Sequence, residues 1–233
     1  MHKKIGVLGG MSAESTVTYY QYITRKYTEE FGDCGYPEIV VYSVSFQRYV
    51  DWQRLGQFEK IAGDMIHAAR TLELAGAEVA LIATNTMHLL FDQVQAAVRI
   101  PFLHIVDATA EAIRKRNLSK VGLLGTKLTM NAPFYGERLS ANGVAMLVPD
   151  SSEQEEINRV IYEELVRGLL LESSRRRFAE IIARLRTRGA EGIIMGCTEI
   201  PLLLSEKDSS LPLFDTATIH AEKALRYAIS EKG

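Results

Sequence analysis

One segment of the chain occurs twice. Leu72 to Thr86 reads LELAGAEVALIATNT and Leu185 to Thr198 reads LRTRGAEGIIMGCT. In each copy the end of an amphipathic helix runs into a Gly-Ala-Glu turn, then an apolar strand, then a polar strand end, with Gly76 and Gly189 setting a common register. Counting from these glycines puts Thr84 opposite Cys197 and Asn85 opposite Thr198. Upstream, Ile5 to Gly10 (IGVLGG) matches Val121 to Thr126 (VGLLGT), again an apolar strand ending in small residues. Apolar strands alternating with amphipathic helices specify parallel sheets covered on both faces. The repeat therefore predicts an α/β protein of two pseudo-symmetric parallel-sheet lobes: residues 1–104 with 210–233 returning to them, and residues 105–209. The segment PFLHIVD, from Pro101, would be the hinge, with Thr84 and Cys197 approaching a ligand in the cleft from opposite sides.

Charge and composition exclude several partners. A net charge of −2 gives no electrostatic reason to bind nucleic acid or an anionic membrane surface. No stretch approaches the roughly 18 apolar residues of a membrane span. The basic start, MHKK, leads into an apolar run that is short and meets Gly-Gly and an acid, which suits a first strand better than a signal peptide. A cytoplasmic protein is the resulting expectation. The two cysteines, Cys34 and Cys197, form no CxxC, so neither a disulfide framework nor a structural zinc is expected. Cys34 lies in a Gly-Asp-Cys-Gly-Tyr loop and reads as incidental, and the Arg175-Arg176-Arg177 run reads as a solvated helix face.

Along the chain, a first strand (Lys4 to Leu8) meets the turn Gly9-Gly10-Met11-Ser12, with Ser12 as N-cap of a helix reaching about Glu30. The turn lacks both GxGxxG and GK[ST], and the next strand, Glu38 to Ser45, ends without an acid for a ribose, so a nest for a small anion such as a carboxylate fits better than a nucleotide site. Residues 46–54 read as a loop in which Arg48 and Arg54 either grip a carboxylate or face solvent. Strand Val79 to Ala83 delivers Thr84-Asn85-Thr86-Met87-His88 at a helix start, with His88 either structural or catalytic. The second half repeats the plan: strand Lys120 to Leu124 before Gly125-Thr126, a helix from Glu153 to Leu170 carrying Arg167, a helix from Ser173 to Thr187, and strand Gly192 to Met195 presenting Cys197. A late strand, Leu213 to Thr216, is placed with the first half, before a final helix from Ala217 to Ile229.

Cys197 is the most informative residue. At a strand end and helix start, the helix dipole and free amides are expected to lower its pKa toward neutrality, and a thiolate there acts as nucleophile or as base. A nucleophile needs a histidine nearby, whereas a base needs an adjacent acidic C–H.

Together, IGVLGGMSAEST near the start, ATNTMH at Ala83 to His88 and GCTEIPLL at Gly196 to Leu203 resemble the aspartate/glutamate racemase family, and the resemblance spans nearly the whole chain. It implies two pseudo-symmetric lobes, no pyridoxal phosphate or other cofactor, no metal, a homodimer, and two bases, one from each lobe, acting on opposite faces of the α-carbon. Most relatives begin the first motif with cysteine, and here that position is Thr84. By this resemblance Cys197 and Thr84 are the catalytic pair and Asn85, Thr86 and Thr198 hold the α-carboxylate. Met11, Gln53 and Thr126 would line the substrate site, and Arg48 and Arg167 would hold a side-chain carboxylate. A neutral- or basic-amino-acid racemase, a decarboxylase or cis-trans isomerase of small dicarboxylates, and a non-catalytic amino-acid-binding protein are the other readings.

Overall fold

The computed structural model describes residues 2–230 and divides the chain into two compact units, one running to Ile105 and resuming at His220, the other Val106–Ile219. In the first unit, β1 (Ile5–Gly9) is followed by α1 (Ala13–Phe31), β2 (Ile39–Ser43), α2 (Phe46–Arg54), α3 (Phe58–Leu74) and β3 (Val79–Ile82). A 3₁₀ turn (Thr86–Leu90), α4 (Phe91–Ala96) and β4 (Phe102–Leu103) complete its sheet, and α5 (Ile105–Lys115) carries the chain onward. In the second unit come β5 (Lys120–Gly125), α6 (Lys127–Asn131), α7 (Pro133–Ala141), β6 (Ala145–Leu147), α8 (Ser151–Glu163) and α9 (Glu172–Thr187). The chain then forms β7 (Gly192–Gly196), α10 (Ile200–Leu203), β8 (Leu213–Asp215) and α11 (Thr216–Ile229).

Each unit holds a four-stranded parallel sheet, in the order β2-β1-β3-β4 and β6-β5-β7-β8, so the two share one topology. The repeat extends to individual hydrogen bonds. Gly76 and Gly189 have φ of 85° and 94°, a left-handed turn that favours glycine. After each, the next residue returns to the preceding helix (Ala77 N to Leu72 O, 3.1 Å; Ala190 N to Leu185 O, 3.0 Å). Glu78 and Glu191 then bond the first strand's backbone, accepting from the amides of Lys4 and Lys120 at 3.0 Å each. The central strands β1, β3, β5 and β7 are buried along almost their whole length, which is why they read as continuous apolar runs and not as alternating ones.

Three sequence expectations change. Residues 46–54 form a helix and not a loop: Phe46, Tyr49 and Trp52 recur at helical spacing and pack on the first unit's core, with Tyr49 fully buried. The long helix expected from Glu153 to Leu170 ends at Glu163, because the buried Glu164 carboxylate turns to bond Arg159 and Ser174 and Gly168 then takes a φ of 73°. The late strand belongs to the second unit, not the first: Leu213, Phe214 and Asp215 pair with Ile193, Ile194 and Met195, and residues 210–219 go with them. The arginine run lies on the solvated helix face expected of it, where Arg175 pairs with Glu172 and Asp208 and Arg177 with Glu156 and Glu180. From His220 onward α11 is tied to α1, through Tyr22 with Glu222 and Glu30 with Arg226.

Candidate active-site residues at the sheet ends

In an open parallel sheet the chain leaves neighbouring strands in opposite directions at one point, and the crevice at the carboxyl ends there is where ligands bind. The order β2-β1-β3-β4 puts that switch between β1 and β3, and β6-β5-β7-β8 puts its counterpart between β5 and β7. In the first unit these strand ends carry Gly10-Met11 and Thr84-Asn85-Thr86; in the second, Thr126 and Cys197-Thr198. The sheets thus gather seven of the ten sequence candidates at two equivalent edges.

Beneath β1 the turn is wired by hydroxyls. Ser12 caps α1 by accepting from the amide of Ser15, Ser15 Oγ donates to Ala83 O at 2.8 Å, and Thr16 Oγ1 accepts from the amide of Gly10 at 2.8 Å. That last bond commits the Gly10 amide to Thr16 and so removes it from the donors of the expected anion nest. Gly10 itself is required: its φ is 92°, and a Cβ there would lie 2.5 Å from both N and O of Val44. After β5, at the position that matches Gly10, Thr126 caps α6 by accepting from Thr129 N.

Thr84 follows β3 and is 9% exposed, and among the described residues its hydroxyl bonds to no other group. Its backbone is held firmly, with the carbonyl accepting from His88 Nδ1 at 2.7 Å. The other nitrogen, Nε2, accepts from the amide of Ile105 at 3.1 Å, so both nitrogens of His88 bond to backbone. His88 is therefore a brace between the strand end and the residue at which the first unit gives way to the second. His220 sits beside it, ring centroids 5.7 Å apart, with Nε2 donating to Leu103 O and Nδ1 accepting from Tyr19 OH, both at 2.9 Å. Burial depresses the His220 pKa from 6.5 to about 4.

Cys197 is 9% exposed, and its Sγ donates to Glu199 Oε2 at 3.0 Å. The same oxygen accepts from Thr198 Oγ1 at 2.9 Å, and Glu199 is 7% exposed. The expectation of a lowered thiol pKa is overturned. Burial comes first and the adjacent Glu199 carboxylate second; together they push the thiol well above its ordinary value, outweighing the amides of Thr198 and Glu199. The helix meant to lower it, α10, has four residues and sums few peptide dipoles. Glu199 is thus the hydrogen-bonding neighbour that sequence reasoning passed over, although GCTE placed it two residues from the thiol.

Three candidates lie elsewhere. Arg48 on α2 is bound to Asp64 on α3, Nη2 to both oxygens at 2.9 and 2.8 Å, lies over the Trp52 ring, and shares Asp64 with Tyr49 OH. Gln53 is half-buried on the same helix, and Arg167 is exposed in the turn after α8. The described residues contain no group of three metal-ligating side chains and no helix long and apolar enough to cross a membrane.

Comparison with known proteins places this arrangement. The sequence profile of the Asp/Glu/Hydantoin racemase family matches residues 8–224. The broad specificity amino-acid racemase of Bacillus subtilis (strain 168) is 25% identical over 224 residues, 95% of this chain and 96% of that protein. A solved structure from Yersinia pestis, described as a candidate Asp/Glu racemase, is 43% identical with a TM-score of 0.92, covering 98% of this chain and 100% of its own. An aspartate racemase homologue from Pyrococcus horikoshii OT3 is also 43% identical, with a TM-score of 0.86 over 97% of this chain and 99% of its own. With a profile match along nearly its whole length and the twofold β2-β1-β3-β4 topology, the chain belongs to the Asp/Glu/Hydantoin racemase family.

Proposed function

We propose that this chain is a cofactor-independent racemase of aspartate or glutamate in which Cys197 and Thr84 serve opposite faces of the α-carbon. The observation that carries the reading is the equivalence of the two residues: each closes the same strand of a repeated sheet, beside the switch point where such sheets bind ligands. A racemase needs a proton donor or acceptor on each face, and a repeated unit supplies one from each copy. Asn85, Thr86 and Thr198 hold the α-carboxylate, Met11, Gln53 and Thr126 shape the site, and backbone amides at the strand ends stabilise the enediolate-like charge as it develops. Thr84 works through its hydroxyl, directly or through a water that it orders. The acidic side chain falls to Arg48 or Arg167; Arg48 reaches it only by leaving or sharing Asp64. The protein works in the cytoplasm as a homodimer.

The test is loss of optical activity. L-Aspartate and L-glutamate, incubated with protein dialysed against chelator and free of pyridoxal phosphate, should each lose ellipticity, and Cys197→Ser should slow this by about 10² to 10⁴-fold, as for other general acid–base groups. An unchanged signal for both amino acids, or a Cys197→Ser variant with half the wild-type rate, would contradict the reading.

A further inference from the structure

We infer that His88 and Thr216 are positioning residues for the two faces of the reaction, each tying the strand before one proposed base to the helix at which the chain changes unit. The inference rests on the racemase reading above and deepens it. It starts from a further stretch of the repeat. Phe102 and Leu103 pair with Ala80 and Leu81, and Leu213 and Phe214 pair with Ile193 and Ile194. Ala80 and Ile193 stand equally far from Gly76 and Gly189, so the fourth strands correspond too, with Pro101 opposite Pro212 and Ile105 opposite Thr216. The amides of Ala80 and Ile193 donate to the two proline carbonyls, both at 2.9 Å. Ile105 and Thr216 are the first residues of α5 and α11, and on these helices the chain passes between units, after Ile105 and after Ile219.

At both places a buried side chain joins that helix to the strand behind a proposed base, by different chemistry. Thr216 does so directly: its Oγ1 donates to Met195 O on β7 at 2.9 Å, two residues before Cys197. Ile105 has an aliphatic side chain, and in the first unit His88 spans the distance. Its Nδ1 donates to Thr84 O at 2.7 Å and its Nε2 accepts from Ile105 N at 3.1 Å. A carbonyl only accepts and an amide only donates, so the bridge requires the neutral ring with its proton on Nδ1. Phe91, stacked at 5.8 Å with 8° between the rings, and His104 at 4.6 Å hold the ring in place. The end of β3 and the first turn of α5 therefore cannot shift apart without breaking a buried hydrogen bond. Capping accounts for the Ile105 amide, since first-turn amides need acceptors, whereas the Thr216 hydroxyl gives its proton to the strand. What the two ties share is the pair of elements they join. Proton transfer is sensitive to displacements of about 1 Å, so His88 sets the placement of Thr84 and Thr216 that of Cys197, both acting through the strand end and not on the substrate.

Deuterium exchange in D2O separates the two faces. Exchange with retention, from the antipode whose α-hydrogen faces Cys197, needs Cys197 alone; inversion needs Thr84 as well. His88→Asn keeps a donor in the place of Nδ1 for Thr84 O but is too short to reach Ile105 N. It should lower the ratio of inversion to retained exchange about 10-fold or more, through kcat with KM within about threefold of the wild type. A merely structural loss would lower both rates together and leave the ratio alone. Thr216→Val removes the tie to β7 with little change of shape and should slow retained exchange about 10-fold or more, while Thr216→Ser, which keeps the hydroxyl, should restore most of it. A wild-type ratio in His88→Asn with the urea midpoint retained would overturn the inference, as would retained exchange within about threefold of wild type in Thr216→Val; the latter holds even if His88→Asn does not fold. Failure of the racemase reading looks different: the wild type would then exchange from neither antipode.

Discussion

His220 makes the acid stability of the first unit calculable. Its imidazole is fully buried, gives its Nε2 proton to Leu103 O and accepts from Tyr19 OH, and its pKa falls from 6.5 to about 4. A histidine whose folded pKa is depressed favours the folded state fully above pH 6.5, and this advantage is lost as the pH falls toward 4, because over that window the unfolded chain binds a proton that the folded one refuses. The displacement of about 2.5 units, at 1.36 kcal/mol per unit, corresponds to about 3 kcal/mol. That is a large share of a stability of roughly 5–15 kcal/mol. Trp52, the single tryptophan, lies on α2 of this unit and reports its urea unfolding by fluorescence. Other groups titrate in the same range, so the comparison is with His220→Gln, whose amide keeps a donor and an acceptor without titrating. The wild type should lose about 3 kcal/mol more than the variant between pH 7 and pH 4. Parallel stability curves would refute the reasoning.

The remaining expectations concern named contacts. Gly10→Ala should cost at least about 2 kcal/mol of stability by urea unfolding, since the new Cβ meets Val44 backbone and φ is positive; a neutral result would mean that the β1–α1 turn relaxes freely. Arg48→Ala removes a half-exposed ion pair and should change stability by under about 1 kcal/mol. Its kcat/KM should fall for aspartate and glutamate more than for neutral amino acids, and equal losses would confine Arg48 to holding Asp64. Thr84→Cys should make the turnover numbers of the two antipodes more alike in a polarimetric assay, because a thiol is a far better base than a hydroxyl; unchanged kcat values would count against Thr84 as the weaker group.

The architecture was legible because it is written twice. Gly76 with Gly189, and the buried strands after them, specify parallel units whatever the surrounding sequence, and Thr84 and Cys197 follow by counting. Side-chain partnership was not legible. Whether Arg48 faces a ligand or Asp64 depends on α2 and α3 packing together, and α2 was hidden because its packed residues, Phe46, Tyr49 and Trp52, are separated by Gln47, Arg48, Val50 and Asp51, which blur the helical period. The thiol's electrostatics were read with the wrong sign for a similar reason: a helix start was visible, but its four-residue length and the fold of Glu199 back onto sulfur were not. The home of β8 was open because a strand three residues long carries no mark of which sheet it joins.

The central claim, two unequal groups on opposite faces of one α-carbon, is tested most directly by proton NMR of α-deuterium incorporation in D2O, starting separately from each antipode of aspartate and glutamate. Since the antipodes have equal free energy, kcat/KM must be the same in both directions, and the asymmetry shows only in kcat, in saturation and in exchange without inversion. One antipode should incorporate deuterium rapidly with retention or slow inversion, the other slowly, and Cys197→Ser should abolish the fast exchange. Equal exchange and equal turnover from both antipodes in the unmodified protein would contradict the account.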